Sequence, residues 1–276
     1  KNFNELKNLI SNINIIHDSL FLNFIKSNFN YPDFINMLAL NIYLANGSTY
    51  YHNYYLYRYP SGKWEILPWD MDKTLSYYEW MPYQYHRTSS EWESDNPLIE
   101  RAILNTEILT DIKKRITELS LGVCNNNIIS LINKIEPIII ESILKDKSDQ
   151  INNINDWLLF LDNERLFFNT RYETLQTQFA TWPSTFATEN ITYNICDEIL
   201  FKWSRSNSPR DKQITYTVFI SPDFLFKDTT LLIKKITTDT FFIYNEAIPN
   251  GIYYWKVQAT DGEFYIDGFN SKNTFK

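Results

Sequence analysis

Cysteine, glycine and long apolar runs are scarce in this chain of 276 residues. Its two cysteines, Cys124 and Cys196, are too few for a disulfide framework or a four-cysteine zinc site, so we interpret them as free or buried thiols. No apolar run reaches the roughly 18 to 20 residues that a membrane span requires. The N-terminus KNFNELKNLI has no signal-peptide core, and we expect any targeting segment to lie upstream of Lys1.

Basic residues are also in the minority. The chain has 26 Lys and Arg against 33 Asp and Glu, a formal net charge of -7. Residues 1–180 hold 16 basic and 22 acidic residues and so carry most of that charge. The absence of a basic stripe argues against nucleic acid as a partner and disfavours anionic lipid. With 44% hydrophobic residues and only 6 glycines, the chain should fold as globular structure and is long enough for two domains.

The first 180 residues have mainly the periodicity of helices. Apolar residues recur at spacings of three and four from Asn4 to Phe29, which predicts helix, broken near Asp18. A second helix is predicted at YPDFINMLALNIYLAN, with Pro32 in its first turn. The period then changes to two, because HNYYLYRY and KWEILPW flank the turn signal PSG and predict a β-hairpin. More helices are predicted at PLIERAILN, EILTDIKKRITELSLG, NNIISLINKIEPIIIESILKD and residues 152–179.

Short β-rich runs replace the helical pattern after TWPST. Turn residues separate EILFKWSRS, ITYTVFIS, TLLIKKIT, TFFIYN, GIYYWKVQATD and EFYIDG. This spacing predicts a small antiparallel sandwich of about 95 residues. We therefore predict two domains, residues 1–180 and 181–276.

Two carboxylates, Asp70 and Asp72, end the second hairpin strand in PWDMD. Side chains alternate along a strand, so both could face one magnesium ion. Alternatively, one of them caps the next segment or pairs with Lys73. Asn53 enters the first hairpin strand, and protein kinases have the same order of a loop with a metal-binding Asn, a hairpin and a metal-binding Asp.

HNYYLY, KWEILPWDMD and the downstream NPLIERAI resemble the CotH family of spore-coat-type protein kinases, over roughly residues 3–180. FKWS, YTVFIS and YYWKVQATDG resemble a fibronectin type III module over residues 182–276. The fold class expected from these resemblances is a mainly α kinase-like C-lobe with a central β-hairpin, followed by an all-β immunoglobulin-like sandwich. Such modules are usual in bacterial proteins that are secreted or attached to the surface.

The CotH resemblance implies a kinase that uses ATP and Mg²⁺ to phosphorylate protein substrates. Asn53 and Asp70 would coordinate the metal on the phosphates, with Asp72 close behind. Ser48 stands where the family commonly has the Asp that is the candidate base. A hydroxyl cannot accept a proton as a carboxylate does, and acid-base catalysis contributes about a hundred- to ten-thousand-fold.

No β-rich segment with a phosphate-binding lysine precedes the first helix, so we expect the chain to be the C-lobe portion of a longer CotH-like kinase, inactive by itself. The alternative is a non-catalytic, pseudokinase-like surface protein that binds protein or polysaccharide partners. A third hypothesis is a carbohydrate-binding adhesin that uses exposed aromatic residues. Arg58 and Arg101 could bind phosphate, but we interpret them as salt-bridge residues, and His52 as a hydrogen-bonded structural residue.

Overall fold

The structure, a computed structural model, describes residues 3–46, 53–71, 74–75, 96–121, 125–146, 153–193, 198–228, 232–246, 248–269 and 273–275. The N-terminal part is helical around one hairpin, as predicted. Its helices are α1 (Asn4–Ile15), α2 (Asp18–Asn28), α3 (Tyr31–Tyr43), α4 (Pro97–Leu104), α5 (Thr106–Leu119), α6 (Asn125–Lys145) and α7 (Ile154–Thr181). The hairpin consists of β1 (Tyr54–Arg58) and β2 (Trp64–Pro68), between α3 and α4.

Local signals explain where the first helices begin and end. His17 has an extended backbone and accepts a hydrogen bond from the backbone N–H of Ser19, so it caps α2 and separates it from α1. The predicted break near Asp18 is therefore confirmed. Pro32 lies in the first turn of α3, where its missing N–H costs no helical hydrogen bond.

The hairpin is attached to the junction between α2 and α3. Its turn closes through Gly62, whose φ of +92° is readily adopted by glycine alone. Lys63 follows, and its ammonium group donates to the backbone carbonyls of Lys26 and Ser27 at the end of α2. The backbone N–H of Asn30 donates to the carbonyl of Trp64. These bonds fix the hairpin to the helical core.

That core is formed around α3, which packs on α5 and on strand β2. Of the thirteen residues of α3, eight are buried. The helix predicted at this place is therefore confirmed, and its buried apolar residues include Phe34, Met37, Leu38 and Ile42.

The C-terminal part is antiparallel β structure. Its strands are β3 (Thr192–Tyr193), β4 (Ile199–Lys202), β5 (Thr215–Ser221), β6 (Ile233–Thr237), β7 (Phe241–Tyr244), β8 (Tyr253–Thr260), β9 (Tyr265–Asp267) and β10 (Asn273–Phe275). One sheet has the order β3-β4-β7, and the other has the order β10-β8-β5-β6 with β9 also on β8. Phe201 of the first sheet meets Trp255 of the second at 4.9 Å between ring centroids, so both contribute to one buried core.

Phe269 joins the two parts. Its side chain belongs to the helical core, while its backbone N–H donates to the carbonyl of Phe186, a residue of the β core. This contact crosses the predicted boundary between the two parts. The division near residue 180 therefore stays a prediction. In the described part of the chain, every helix is too short or too polar to cross a lipid bilayer.

Candidate functional site

The open end of the hairpin brings Asn53 and Asp70 to neighbouring positions. Tyr54 pairs with Pro68 in the sheet register, and one residue further the backbone N–H of Trp69 donates to the carbonyl of Asn53 at 3.3 Å. Asn53 is half-buried and Asp70 is exposed. An amide oxygen and a carboxylate thus lie at the entrance and the exit of one hairpin.

The backbone around these two residues is strained. Asn53 has a φ of 63° and Asp70 a φ of 53°, and Ala45 and Leu75 also have positive φ. Within the described residues, six non-glycine residues have positive φ, and these are four of them. Asn and Asp tolerate this conformation, but for Leu it is a clear outlier. Such residues cost about 1–3 kcal/mol each and cluster at functional sites.

Contacts between the loop after β2 and the end of α3 keep this strained backbone in place. The backbone N–H of Leu75 donates to the carbonyl of Leu44 at 2.7 Å. The side-chain amide of Asn46 lies 3.2 Å from the sulfur of Met71. The segment that follows α3 and the segment that contains Asp70 are therefore connected directly.

Two buried amides fix the end of α3. The side chain of Asn46 donates to Oδ1 of Asn41 at 2.7 Å, and Asn41 in turn donates to the carbonyl of Met37 at 2.8 Å. Both side chains are at most 2% exposed. Asn41 was missed in the sequence, although an amide inside the apolar run LALNIYL is a detectable signal of a buried polar contact.

Arg171 of α7 completes this anchor. Its guanidinium group is 1% exposed, and it donates to the carbonyls of Ile42 and Tyr43 in the last turn of α3. A cation is favoured at a helix C-terminus because the unpaired carbonyls carry partial negative charge. Sequence reasoning missed this residue as well; its signal is an arginine on the same helix face as Phe168 and Leu175.

The NPL segment of the family resemblance is bonded to the first hairpin strand. Asn96 caps α4 through the backbone N–H of Ile99, and its amide donates to the hydroxyl of Tyr54 at 3.1 Å. Burial raises the pKa of Tyr54, and the bond from Asn96 offsets part of that rise. Asn96, at the start of α4, therefore fixes the position of Tyr54, the residue next to Asn53.

Aromatic side chains cover the outer face of the hairpin. Tyr55 and Trp69 are both more than half exposed, and their ring centroids are 5.3 Å apart. Tyr57 follows on the same face and is also exposed, while Tyr54 points inward. An apolar surface thus borders Asn53 and Asp70.

Two arginines that could have bound phosphate form salt bridges instead. Arg58 forms an ion pair with Glu5 at 2.9 Å, and Arg101 forms one with Asp18 at 2.6 Å. Their interpretation as salt-bridge residues is confirmed. Several other candidates lie outside the described residues: Ser48, His52, Asp72, Lys73, Cys124 and Cys196.

The donors present suit a magnesium ion that arrives with phosphate. Among the described residues there is no group of three or more His, Cys, Asp or Glu side chains that could hold a metal. Asn53 and Asp70 alone therefore do not form a closed cage. Mg²⁺, however, usually takes one or two protein oxygens and completes its shell with water and substrate phosphates. This open pair fits that mode of binding.

Comparison with known proteins agrees with the motif order. The family model described as CotH kinase protein matches residues 1–182, which include α1 to α7, the hairpin and both candidate ligands. No curated protein matches the chain. Because the match covers about two thirds of its length, the chain belongs to the CotH kinase family.

Proposed function

We propose that the open end of the hairpin binds the phosphates of ATP together with Mg²⁺, as part of the catalytic site of a protein kinase that acts on protein substrates. The observation that carries this proposal is the placement of Asn53 and Asp70 at the two strand ends of one hairpin, both in left-handed backbone conformation, beside two connected loops. Such conformations persist where the surrounding structure enforces them, and they cluster at functional sites. Membership of the CotH kinase family supports the same chemistry.

Each residue has a defined role in this proposal. The amide oxygen of Asn53 and the carboxylate of Asp70 would hold the metal, and Asp72 would assist them. When bound, Mg²⁺ would neutralise charge on the phosphates. Ser48 occupies the position of the family's candidate base and would contribute only a hydroxyl.

The aromatic surface beside the site fits the remainder of the nucleotide. Tyr55 and Trp69 expose apolar ring area on the face that borders Asn53 and Asp70. Planar bases stack on such rings, which is worth about 1–3 kcal/mol per base. We therefore assign the base of ATP to this surface.

For the β-rich part we propose a fibronectin type III-like sandwich. Its support is the resemblance of the strands and the pairing of a three-stranded sheet with a larger one through a shared core. Modules of this type are common in extracellular proteins, so we also propose that the chain acts in secreted form or at the cell surface, with a protein or cell-wall partner.

The test is calorimetric titration of the full chain with ATP, with and without Mg²⁺. We expect binding that depends on Mg²⁺ and that weakens about tenfold in Asp70→Asn, because the neutral amide lacks the negative charge of the carboxylate ligand. Asparagine tolerates the positive φ of Asp70, so the loop should keep its shape. Asn53→Gly should behave similarly, since glycine also accepts positive φ.

Asp239→Asn is the matched control, because Asp239 is an exposed carboxylate in the turn between β6 and β7. ATP binding that is independent of Mg²⁺, or equally affected by Asp239→Asn, would contradict the proposal. Transfer of phosphate to protein, measured on a longer chain that also contains the expected N-lobe, then separates the two kinase hypotheses. Binding by that longer chain without transfer, with transfer appearing only in Ser48→Asp, would identify a pseudokinase.

A further inference from the structure

Helix α6 has a broad apolar surface, and within the described structure only part of that surface packs against the helical core. Ile128, Ile129 and Ile132 pack against the helical core. Arg165 of α7 holds the adjoining side through Asn133 at 2.9 Å and through Glu136. A second stripe remains in solvent: Leu131 is 54% exposed, Ile135 41%, Ile138 75% and Ile139 36%.

This exposed stripe, residues 131, 135, 138 and 139, is continuous. At 100° per residue, its four side chains fall within about 100° of arc, which overlaps the direction of Ile128 and extends from there toward the side that carries Lys134 and Glu141. A helix whose apolar surface extends this far around is typical of a helix buried on more than one side. Charged residues lie beside this stripe on the exposed surface of α6, including Lys134, Glu141 and Lys145.

We propose that the exposed stripe of α6 is a homodimer interface, in which two copies of the chain pair their α6 helices antiparallel about a two-fold axis. The positions of Lys134 and Glu141 favour a second copy of the chain as the partner that covers the stripe. They are seven residues apart, so they flank the same edge of the stripe two turns from each other. Both are exposed.

Antiparallel pairing places Lys134 of each copy opposite Glu141 of the other. A two-fold interface must be self-complementary in this way, since each contact occurs twice with the roles exchanged. Parallel pairing would instead oppose lysine to lysine and glutamate to glutamate. The charges therefore select the antiparallel arrangement. Lys145 lies 4.0 Å from Glu141 in the same helix, and it adds a second positive charge near this edge of the stripe.

The area is sufficient for a weak dimer. The four side chains present roughly 350 Å² of apolar surface per copy, and with the usual share of polar atoms a pair would bury about 1,200 Å² in total, the lower limit of specific interfaces. Interfaces at this limit are typical of weak, transient complexes, so we expect a Kd in the micromolar range.

Sedimentation equilibrium of the full chain between about 1 and 200 µM tests the proposal. We expect a monomer–dimer equilibrium in the wild type and a Kd raised at least tenfold in Ile138→Glu, because that side chain would place a charge at the centre of the interface. Its high exposure means that the monomer should still fold, which circular dichroism melting verifies. If Ile138→Glu does not fold, Ile138→Ser serves the same purpose.

Two further variants make the result specific. Leu144→Glu changes a residue that is 62% exposed but lies on another side of α6, and it should leave the Kd unchanged. Lys134→Glu should weaken the dimer about fivefold, since both symmetric pairs are lost, and adding Glu141→Lys should restore it. A monomer at every concentration, or a dimer indifferent to Ile138→Glu, overturns the proposal.

Discussion

Replacing Arg171 by alanine is expected to lower the free energy of unfolding by about 3–4 kcal/mol. The guanidinium group is buried, and its partners include the carbonyls of Ile42 and Tyr43. Hydrogen bonds to a charged donor are worth about 1.5–3 kcal/mol each, and buried carbonyls that lose their donor cost more than exposed ones. The loss of side-chain volume adds to this cost.

Urea denaturation of the variant and the wild type measures this difference. Arg165→Ala is the matched control, because Arg165 lies on the same helix but is 22% exposed and pairs with surface carboxylates; it should cost about 1 kcal/mol. Arg171→Lys should remain destabilised, since one ammonium cannot reproduce the planar fork that reaches two carbonyls. If Arg171→Ala and Arg165→Ala lower the free energy of unfolding equally, the bonds from Arg171 to the end of α3 add no stability beyond that of the ion pairs of Arg165.

The stability of the protein should also depend on Glu164, a buried carboxyl group on α7. It is 7% exposed, and its Oε2 has no hydrogen-bond partner within the described structure. Burial raises the pKa of Glu164 from 4.5 to about 7, because the charged form is poorly solvated. The folded protein therefore keeps this proton up to about pH 7, whereas the unfolded chain loses it near pH 4.5.

As pH rises through that window, the unfolded state releases the proton first, so the free energy of unfolding falls. The contribution of Glu164 is a loss of about 3 kcal/mol, complete above pH 7. Glu164→Gln has nearly the same shape and cannot ionise. It should therefore match the wild type near pH 4 and exceed its stability at pH 8.

Chemical denaturation at several pH values between about 4 and 8, a range that brackets the pKa of Glu164 in the unfolded and folded states, tests this expectation. Glu173→Gln, which changes an exposed glutamate of the same helix, controls for the general effect of removing a negative charge. If the difference between wild type and Glu164→Gln is constant with pH, the buried carboxyl does not keep its proton.

The order of helices and the hairpin could be predicted from the sequence because short-range signals determine both. Apolar spacing identified α1 to α7, and the alternation around Gly62 identified the hairpin. Asn53 and Asp70 became candidates because they stand just before and just after this hairpin. Their neighbours Asn41 and Arg171 were not predicted, because a buried polar residue reveals its partner only when distant segments are folded together.

By itself, the sequence determined the family, the helical and β-rich parts, and the two polar residues at the ends of the hairpin. These depend on local periodicity and on residues close together in the chain. Only the tertiary structure decided that the loop containing Asp70 bonds to the end of α3, that Arg171 anchors the same helix from α7, and that an apolar stripe of α6 stays exposed within the described structure. Each of these is a contact, or a missing contact, between segments far apart in sequence, and no local pattern specifies which segments meet.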